Sequence, residues 1–268
     1  MTNGKGYLET VLDIFLKNLM IVVPNVIIVG ITSLIAFVLY ILGYFSIFGF
    51  ATFISKLRDL SNPIEDIQKI TSLSSLAVAS VTLIFLVVIA VIGLLLIAAY
   101  ALAKGMMADM SLDAVTKGYT NLGKSFEAAK NRFLSLVALD ILNFLIIAAP
   151  FIPGVALLLL CPPLGIILLL IAILAAAVLS MLFLASPIFV MMGFGAVDSL
   201  KESANALIKS LSVRIEVVVG IIVAFLISWL VGVVSILALP FIYILLAYYV
   251  VHDLKKLPPP SPESGVLI

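Results

Sequence analysis

The chain has 268 residues, of which 64% are hydrophobic and 11% are charged. Ordinary soluble domains have roughly 45–50% apolar and about 25% charged residues. Its formal net charge of +1 gives no overall field that would attract nucleic acid. This composition excludes a water-soluble fold, because one core could not hide so much apolar surface. It predicts an all-α integral membrane protein with no nucleic-acid partner.

Ligands for metal, haem and disulfide chemistry are scarce in this sequence. Cys161 is the single cysteine and His252 the single histidine, whereas zinc and haem sites need several imidazole or thiolate ligands. His252 and Asp253 are neighbours, and adjacent side chains on a helix point about 100° apart, so they predict a solvated helix end. We therefore expect no cofactor, no metal and no enzymatic activity.

Six apolar segments are expected to cross the membrane, since a span takes roughly 20 helical residues. The first four lie at residues 19–44, 76–103, 133–149 and 164–192. Pro187 is predicted to kink the end of the fourth. The last apolar block, residues 217–251, would be about 52 Å long as one helix. We predict two short helices there, turning near residues 232–235.

Lysine and arginine are distributed unevenly between the loops, which is the orientation signal in membrane proteins. Under the six-span division, three of the 15 basic residues (Lys56, Arg58 and Lys69) fall on one side, and the other twelve fall on the side of the termini. The sequence therefore predicts a multi-pass cell-membrane protein with both termini in the cytoplasm. Residues 1–256 would form a single transmembrane domain, followed by a proline-rich, disordered cytoplasmic tail at residues 257–268.

A short amphipathic segment precedes the first, third and fifth spans, with apolar or small residues recurring every three or four positions. We predict three repeats, each an amphipathic interfacial helix plus a transmembrane hairpin, at about residues 7–103, 111–192 and 196–252. Ser111 and Asp198 are the predicted N-caps of the second and third interfacial helices, and Gly105, Gly193 and Gly195 supply the breaks before them. The alternative is coincidence, because any cytoplasmic connector tends to be amphipathic. The stripes are Leu8, Leu12, Phe15 and Leu19; Leu112, Val115, Tyr119, Leu122, Phe126, Ala129 and Phe133; and Val197, Leu200, Ala204, Leu207 and Leu211.

Polar side chains inside or at the mouths of the spans mark a candidate site, because an intramembrane charge costs roughly 2.5–3.5 kcal/mol on insertion scales. Asp140 lies about two turns into the third span, and Asn143 lies on the same face one turn further. Arg214, at the start of the fifth span, is a candidate partner of Asp140. Together with Asn25 and Glu216, these residues predict a polar vestibule open to the cytoplasm. The alternative is structural: Asp140 and Asn143 hold helices together, and Asn25 satisfies the carbonyl that the preceding proline frees.

Four basic residues around the second amphipathic segment are candidate lipid-headgroup contacts: Lys117, Lys124, Lys130 and Arg132. Near a membrane surface each such charge attracts anionic headgroups by about 1 kcal/mol. The alternative is that they only follow the inside-positive bias. We expect membrane lipids as partners, with other membrane subunits or a second copy of the chain as further candidates.

Two segments carry a resemblance to a known family. The motif FLKN at residues 15–18, which leads to Pro24, and the segment at residues 195–210, which ends in ALIKS, resemble a family of archaeal polytopic membrane proteins. That family is similar to the membrane domain attached to some glycerophosphodiester phosphodiesterases. The resemblance implies a membrane-embedded module without the hydrolase, because the soluble phosphodiesterase barrel has no counterpart in this sequence.

The sequence therefore predicts a non-catalytic membrane module that interacts with lipids or with a partner protein. The alternative function is a permease component or small-solute carrier that uses the polar vestibule near Asp140.

Overall fold

The computed structural model describes residues 6–58, 65–230 and 235–256. These residues form helices and turns, with no strand among them. Residues 59–64 of the predicted loop between the first two spans, the predicted turn near residues 232–235 and the predicted disordered tail lie outside the described residues. The helices are α1 (Tyr7–Lys17), α2 (Val23–Arg58), α3 (Glu65–Thr116), α4 (Leu122–Asn131), α5 (Phe133–Ala148), α6 (Phe151–Leu160), α7 (Pro162–Leu182), α8 (Ser186–Met191), α9 (Ala196–Val213), α10 (Ile215–Leu230) and α11 (Ser235–Tyr248).

Among the described residues, five helical segments are long and apolar enough to cross a membrane. A sixth is reached if α9 and α10, which are bent by 110° relative to each other, count as one broken span. The all-α fold class and the five to six long apolar helices of a multi-pass membrane protein agree with the prediction. The five segments are Leu19–Ile41, Val87–Thr116, Phe133–Leu160, Pro162–Met191 and Ile236–Asp253.

The chain divides into two compact units. One contains residues 1–27 and 99–268, and the other contains Ile28–Ala98, which comprises most of α2 and the first part of α3. With 36 and 52 residues, α2 and α3 are about 54 Å and 78 Å long at 1.5 Å per residue. Both helices continue past the predicted limits of the first two spans, at residues 44 and 76, because no proline interrupts these parts of the chain.

The predicted break between the first two repeats is wrong in its details, since α3 runs continuously through residues 103–111. Ser111 is not an N-cap: it is buried within α3, and its hydroxyl donates to the Met107 carbonyl at 2.7 Å. Gly105 also lies inside α3. A Cβ added there would come within 2.4 Å of Leu136 Cδ1 and 3.1 Å of Ala129 Cβ, so this glycine permits close packing of helices rather than ending one.

The chain turns instead at Gly118, whose φ of +80° suits a residue without a Cβ. Asn121 then caps α4, because its side-chain oxygen accepts the backbone N–H of Lys124 at 3.1 Å. The second amphipathic helix therefore exists but begins at Leu122. Leu112 and Val115 belong to the end of α3.

The start of α9 matches the predicted breaks. Gly193 has a φ of +103° and Gly195 is the N-cap residue. Asp198 is not the N-cap but lies in the first turn, where a carboxylate is favourable near the positive end of the helix dipole.

The break between α7 and α8 confirms the kink predicted at Pro187, which occupies the first turn of α8. Because proline has no N–H, the carbonyl of Phe183 loses its usual donor four residues later. The Ser186 hydroxyl donates to that carbonyl at 2.5 Å. Ser203 of α9 donates to the Leu182 carbonyl at 2.7 Å. Side-chain hydroxyls thus satisfy two backbone groups that the kink exposes.

The third apolar segment is longer than the predicted 133–149, because it continues through a short break at Pro150 into α6. Pro153 lies in the first turn of α6, where a helix does not need its N–H. α6 and α7 pack against each other as an antiparallel hairpin that turns at Cys161. Gly165 lies so close to α6 that an added Cβ would be 2.4 Å from the backbone of Leu158.

Gly165→Ala is expected to destabilise the protein by about 1–3 kcal/mol, the usual cost of overpacking a closely packed contact. Gly93→Ala in α3 is the matched control, because an added Cβ there has nothing within 4 Å. This control should be neutral or stabilising by up to about 1 kcal/mol. Denaturant unfolding in detergent measures both changes, and equal effects of the two substitutions would contradict the close packing.

Residues 215–230 and 235–248 form two helices, α10 and α11, as predicted, and the segment between them lies outside the described residues. α10 and α11 pack as an antiparallel pair, since a Cβ added at Gly220 would be 2.8 Å from Leu245 Cδ2. Every residue from Ile242 to Val251 is buried, which makes the second half of α11 and the π-helical turn Tyr249–Asp253 a central part of the core. Lys256 then forms an ion pair with Glu202 of α9.

α1 lies lengthwise and antiparallel along α11. The Tyr7 ring packs edge-on against Tyr248 with 5.1 Å between centroids, and the Phe15 ring packs similarly against Phe241 at 5.7 Å. The sequence predicts that α1 lies at the membrane interface, but in the structure it lies antiparallel to the apolar helix α11. The reason is that α1 has two apolar sides: Val11 and Phe15 are buried, whereas a second stripe of leucines stays exposed.

Candidate functional site

Asp140 on α5 is paired with Lys104 on α3. Lys104 Nζ lies 2.7 Å from Asp140 Oδ1, and the two side chains are 18% and 12% exposed. The same ammonium group lies 4.2 Å from the centre of the Tyr100 ring, one turn earlier on α3. Arg214 is therefore not the partner of Asp140 that the sequence suggested. The ion pair joins two long apolar helices.

Two oxygens next to this pair are buried without a hydrogen-bond donor among the described residues: Asp140 Oδ2 and Asn143 Oδ1. Tyr243 on α11 is buried nearby and interacts electrostatically with Asp140 and Tyr100. The arrangement brings polar groups of α3, α5 and α11 together. Chemically, the two oxygens can accept hydrogen bonds from a small donor such as water, while Lys104 balances the carboxylate charge.

Asn25 at the start of α2 has a different partner from the one predicted. It is 5% exposed, and its side-chain amide donates to the carbonyl of Ile236 in the first turn of α11 at 2.8 Å. Pro240 lies inside α11, four residues after Ile236. Because proline has no N–H, it cannot make the usual helical hydrogen bond to the Ile236 carbonyl. Asn25 therefore satisfies the carbonyl freed by Pro240, not the one freed by Pro24.

Arg214, between α9 and α10, contacts two other elements. Its Nε lies 3.0 Å from Asp253 Oδ1, and the side chains are 44% and 13% exposed. Its guanidinium carbon also lies 5.4 Å from the centre of the Tyr7 ring on α1. The hydrogen bond to Asp253 and the charges of Asp253 and Glu216 raise the pKa of Arg214. Asp253 is thus a structural partner of Arg214, whereas the sequence predicts a solvated helix end there.

The five predicted vestibule residues therefore have three different sets of partners. Asp140 pairs with Lys104, and Asn143 follows Asp140 by one turn on α5. Asn25 binds the backbone of α11, and Arg214 binds Asp253, with the exposed Glu216 two residues further along the chain. Lys104 is the partner that sequence reasoning missed. The sequence offers one indication of its role, its position directly after an apolar run. The register between α3 and α5, which brings Lys104 to Asp140, depends on the tertiary structure.

Tyr7 faces the Asp253 carboxylate from α1. Burial and the neighbouring charge of Asp253 raise the pKa of Tyr7. Neither Tyr7 Oη nor Asp253 Oδ2 completes a hydrogen bond within the described part of the chain.

Tyr7→Phe is expected to change how stability depends on alkaline pH. Because the folded pKa lies above the unfolded value of about 10, the folded state binds more protons than the unfolded state above that pH. Wild-type stability should therefore fall there, by up to about 1.4 kcal/mol per pH unit from this one group. The free energy of unfolding in detergent, compared between wild type and variant from pH 8 to 11, measures it. Tyr119→Phe, at an exposed tyrosine, is the control, and a wild-type-minus-variant difference that stays constant with pH would contradict the shift.

The four predicted headgroup residues surround α4 as expected. Lys124 and Lys130 are exposed on α4, and Arg132 is half-buried at its C-terminal end. Lys117 pairs with Asp113 at 2.6 Å, and this hydrogen bond raises its pKa. Because Lys117 is held by the carboxylate of Asp113, the exposed Lys130 is better placed than Lys117 to meet a headgroup.

An apolar groove of about 480 Å³ lies between α1, α10 and α11, open along one side. Glu9 is the one charged residue that lines it within the described part of the chain. Leu8 and Leu12 of the predicted stripe line it and are exposed, so no other part of the described protein covers them. Across from them lie Val223 of α10 and Phe241 of α11.

No group of three or more histidine, cysteine, aspartate or glutamate side chains in the described residues could hold a metal ion. No protein-family model matches the chain, and comparisons with curated proteins and with solved structures found no match either.

Proposed function

We propose that this protein is a non-catalytic membrane module that holds a membrane lipid in the apolar groove between α1, α10 and α11. The observation that carries the proposal is the groove itself. Its volume of about 480 Å³ lies within the range of roughly 300–1,000 Å³ that is typical of ligand pockets. Its walls are almost wholly apolar, and it is concave and open on one side. A lipid acyl chain fits these properties.

The position of the groove suggests that its open side faces the lipid tails of the membrane. α1 runs along α11, and the groove between them is open toward the space that lipid tails occupy if Ile236–Asp253 crosses the bilayer. Exposed apolar surface is costly in water, at about 25 cal/mol per Å², but not against hydrocarbon. The exposed leucines of α1 are therefore stable in such a setting without a protein cover.

The proposal includes six spans with both termini in the cytoplasm, and three repeats. Its support is the element order of the last two repeats: α4 precedes the hairpin of α5, α6 and α7, and α9 precedes the hairpin of α10 and α11, whereas α1 lies along α11. The 110° bend between α9 and α10 suits an interfacial helix followed by a span. The resemblance to the archaeal membrane family stays part of this proposal.

A carrier that uses a vestibule near Asp140 has less support. Lys104 neutralises Asp140, and Arg214 is paired with Asp253. These contacts make the charged residues of the spans suited to joining helices. We therefore favour a lipid-binding module over a permease component.

Filling the groove tests the proposal. Val223→Trp places a large ring in the groove, and Ile222→Trp is the matched control, because Ile222 is a neighbour on α10 that does not line the groove. The two positions are 45% and 43% exposed. The proteins are reconstituted in vesicles of equal parts phosphatidylethanolamine and phosphatidylglycerol, extracted in mild detergent, and examined by native mass spectrometry.

Wild type and Ile222→Trp are expected to retain one lipid that Val223→Trp loses, with all three proteins equally folded by circular dichroism. Retention of the same lipid by Val223→Trp would overturn the proposal. So would a wild-type protein that retains no lipid, whether it is then found as a dimer, in which a second copy covers the groove, or as a monomer.

A further inference from the structure

We infer that the groove selects a zwitterionic phospholipid with a primary amine, whose phosphate meets Arg214 and whose ammonium group meets Glu9 and Glu216. This inference rests on the proposed function and names the lipid class that the same site prefers.

Arg214 lies at the end of the groove where α1 and α10 both begin. Its guanidinium group lies over the ring of Tyr7, and the two residues that follow Tyr7 both line the groove. On α10, the lining residues start at Val219, little more than one turn after Arg214. A lipid whose chain lies between Leu12 and Val223 would therefore bring its headgroup to Arg214.

The guanidinium group of Arg214 has further N–H donors that can bind a phosphate. Asp253 accepts from Nε at 3.0 Å, and the side chain is 44% exposed. An arginine carries five N–H donors in a planar fork that matches phosphate oxygens. Asp253 and the Tyr7 ring hold this fork in place, so little side-chain freedom is lost when a phosphate binds.

Two acidic residues of the described chain, Glu9 and Glu216, lie toward this end of the groove, and they decide the headgroup class. Glu9 lines the groove, and its carboxylate accepts a hydrogen bond from the backbone N–H of Gly6 at 3.4 Å. Glu216 is exposed two residues after Arg214, and its negative charge raises the pKa of Arg214. A headgroup that carries only negative charge would be attracted by Arg214 but repelled by the carboxylates of Glu9 and Glu216. A headgroup with a phosphate and an ammonium group matches both signs.

A competition experiment on the full chain tests the inference. Vesicles contain equal parts of palmitoyl-oleoyl phosphatidylethanolamine, phosphatidylcholine and phosphatidylglycerol, so that the acyl chains are identical and the headgroups differ. Native mass spectrometry counts total retained lipid and the share of each class. The variant is the double substitution Glu9→Gln and Glu216→Gln, because glutamine keeps a hydrogen-bonding side chain at position 9. Glu127→Gln, at an exposed glutamate of α4, is the matched control.

Wild type and Glu127→Gln are expected to retain phosphatidylethanolamine over phosphatidylglycerol by about tenfold, the ratio that one charge-assisted hydrogen bond can provide. Phosphatidylcholine, whose quaternary ammonium has no N–H, should fall between them. The double variant should lose most of this preference, to within about twofold, while its total retained lipid is unchanged.

The two proposals fail in different ways. If the wild type retains a groove-dependent lipid but prefers phosphatidylglycerol or shows no preference, the headgroup inference is overturned and the proposed function stands. A double variant that keeps the wild-type preference also overturns it. If no lipid is retained at all, both proposals fall.

Discussion

Lys104→Met is expected to destabilise the protein by about 3–5 kcal/mol, the usual cost of removing one partner of a buried ion pair. The substitution preserves most of the side-chain volume but leaves the Asp140 carboxylate unpaired between apolar helices. That carboxylate is only 12% exposed, and its Oδ2 already lacks a donor in the described residues. The free energy of unfolding in mild detergent, from a denaturant titration, measures the loss.

A double-mutant cycle separates the ion pair from the packing around it. Lys104→Met combined with Asp140→Leu removes both charges, and an apolar pair of similar size is often neutral or stabilising relative to the ion pair. The double variant should therefore recover most of the stability. Lys130→Met, at an exposed lysine of α4, should change stability by less than about 0.5 kcal/mol. If the two single losses simply add, Lys104 and Asp140 do not act as a pair.

The same cycle bears on the carrier alternative. If Lys104→Met combined with Asp140→Leu is as stable as wild type and keeps its groove-bound lipid, the pair is structural. A structural pair is what its position between α3 and α5 favours.

Asn25→Leu is expected to destabilise the protein by about 1–3 kcal/mol, because the Ile236 carbonyl would be buried without a donor. Leucine matches asparagine in shape but cannot donate a hydrogen bond. The 2.8 Å bond that it removes joins the start of α2 to the start of α11, so the two segments should also separate more readily. Unfolding in detergent gives the energy, and protease sensitivity near Ser235 reports the local loosening.

Pro240→Ala provides the decisive background for this prediction. An alanine at position 240 supplies the backbone N–H that Pro240 lacks, so the Ile236 carbonyl gains a donor within its own helix. In that background Asn25→Leu should cost about 1 kcal/mol less than in wild type. An equal cost in both backgrounds would show that Asn25 stabilises the protein in some other way.

Exposure of the α1 leucines links these structural contacts to the proposed lipid site. Tyr7 and Phe15 pack against α11 and hold α1 along its length, and Asn25 joins the start of α2 to α11. Leu8 and Leu12 are then left on the open side, where they line the groove. The contacts that fix α1 therefore also create the surface that a lipid would occupy.

Several features of the fold could be predicted because their causes are local in the chain. An apolar run long enough to span a bilayer is a property of consecutive residues, and so the all-helical class and the presence of five to six long apolar helices in the described residues agree with prediction. The glycines before α9 and the kink at Pro187 are local as well, since they depend on the backbone freedom of one residue or on one missing N–H.

Other predictions failed where distant residues compete with a local signal. Ser111 has the side chain of an N-cap, but its neighbours pack inside α3 and the helix continues. Gly105 could end a helix, yet it instead allows Leu136 and Ala129 to approach. In both cases burial against another helix outweighs a preference of roughly 1 kcal/mol for a break.

By itself, the amino-acid sequence determined a set of apolar helices and the apolar stripes on α1, α4 and α9, but not the ends of the long helices. Only the tertiary structure decided the pairing of Lys104 with Asp140, of Arg214 with Asp253 and of Asn25 with the carbonyl freed by Pro240. The physical reason is that an apolar run or stripe depends on neighbouring residues, whereas a buried polar group takes whichever partner the helix register brings within about 3 Å. The groove along α1 arises from that same register.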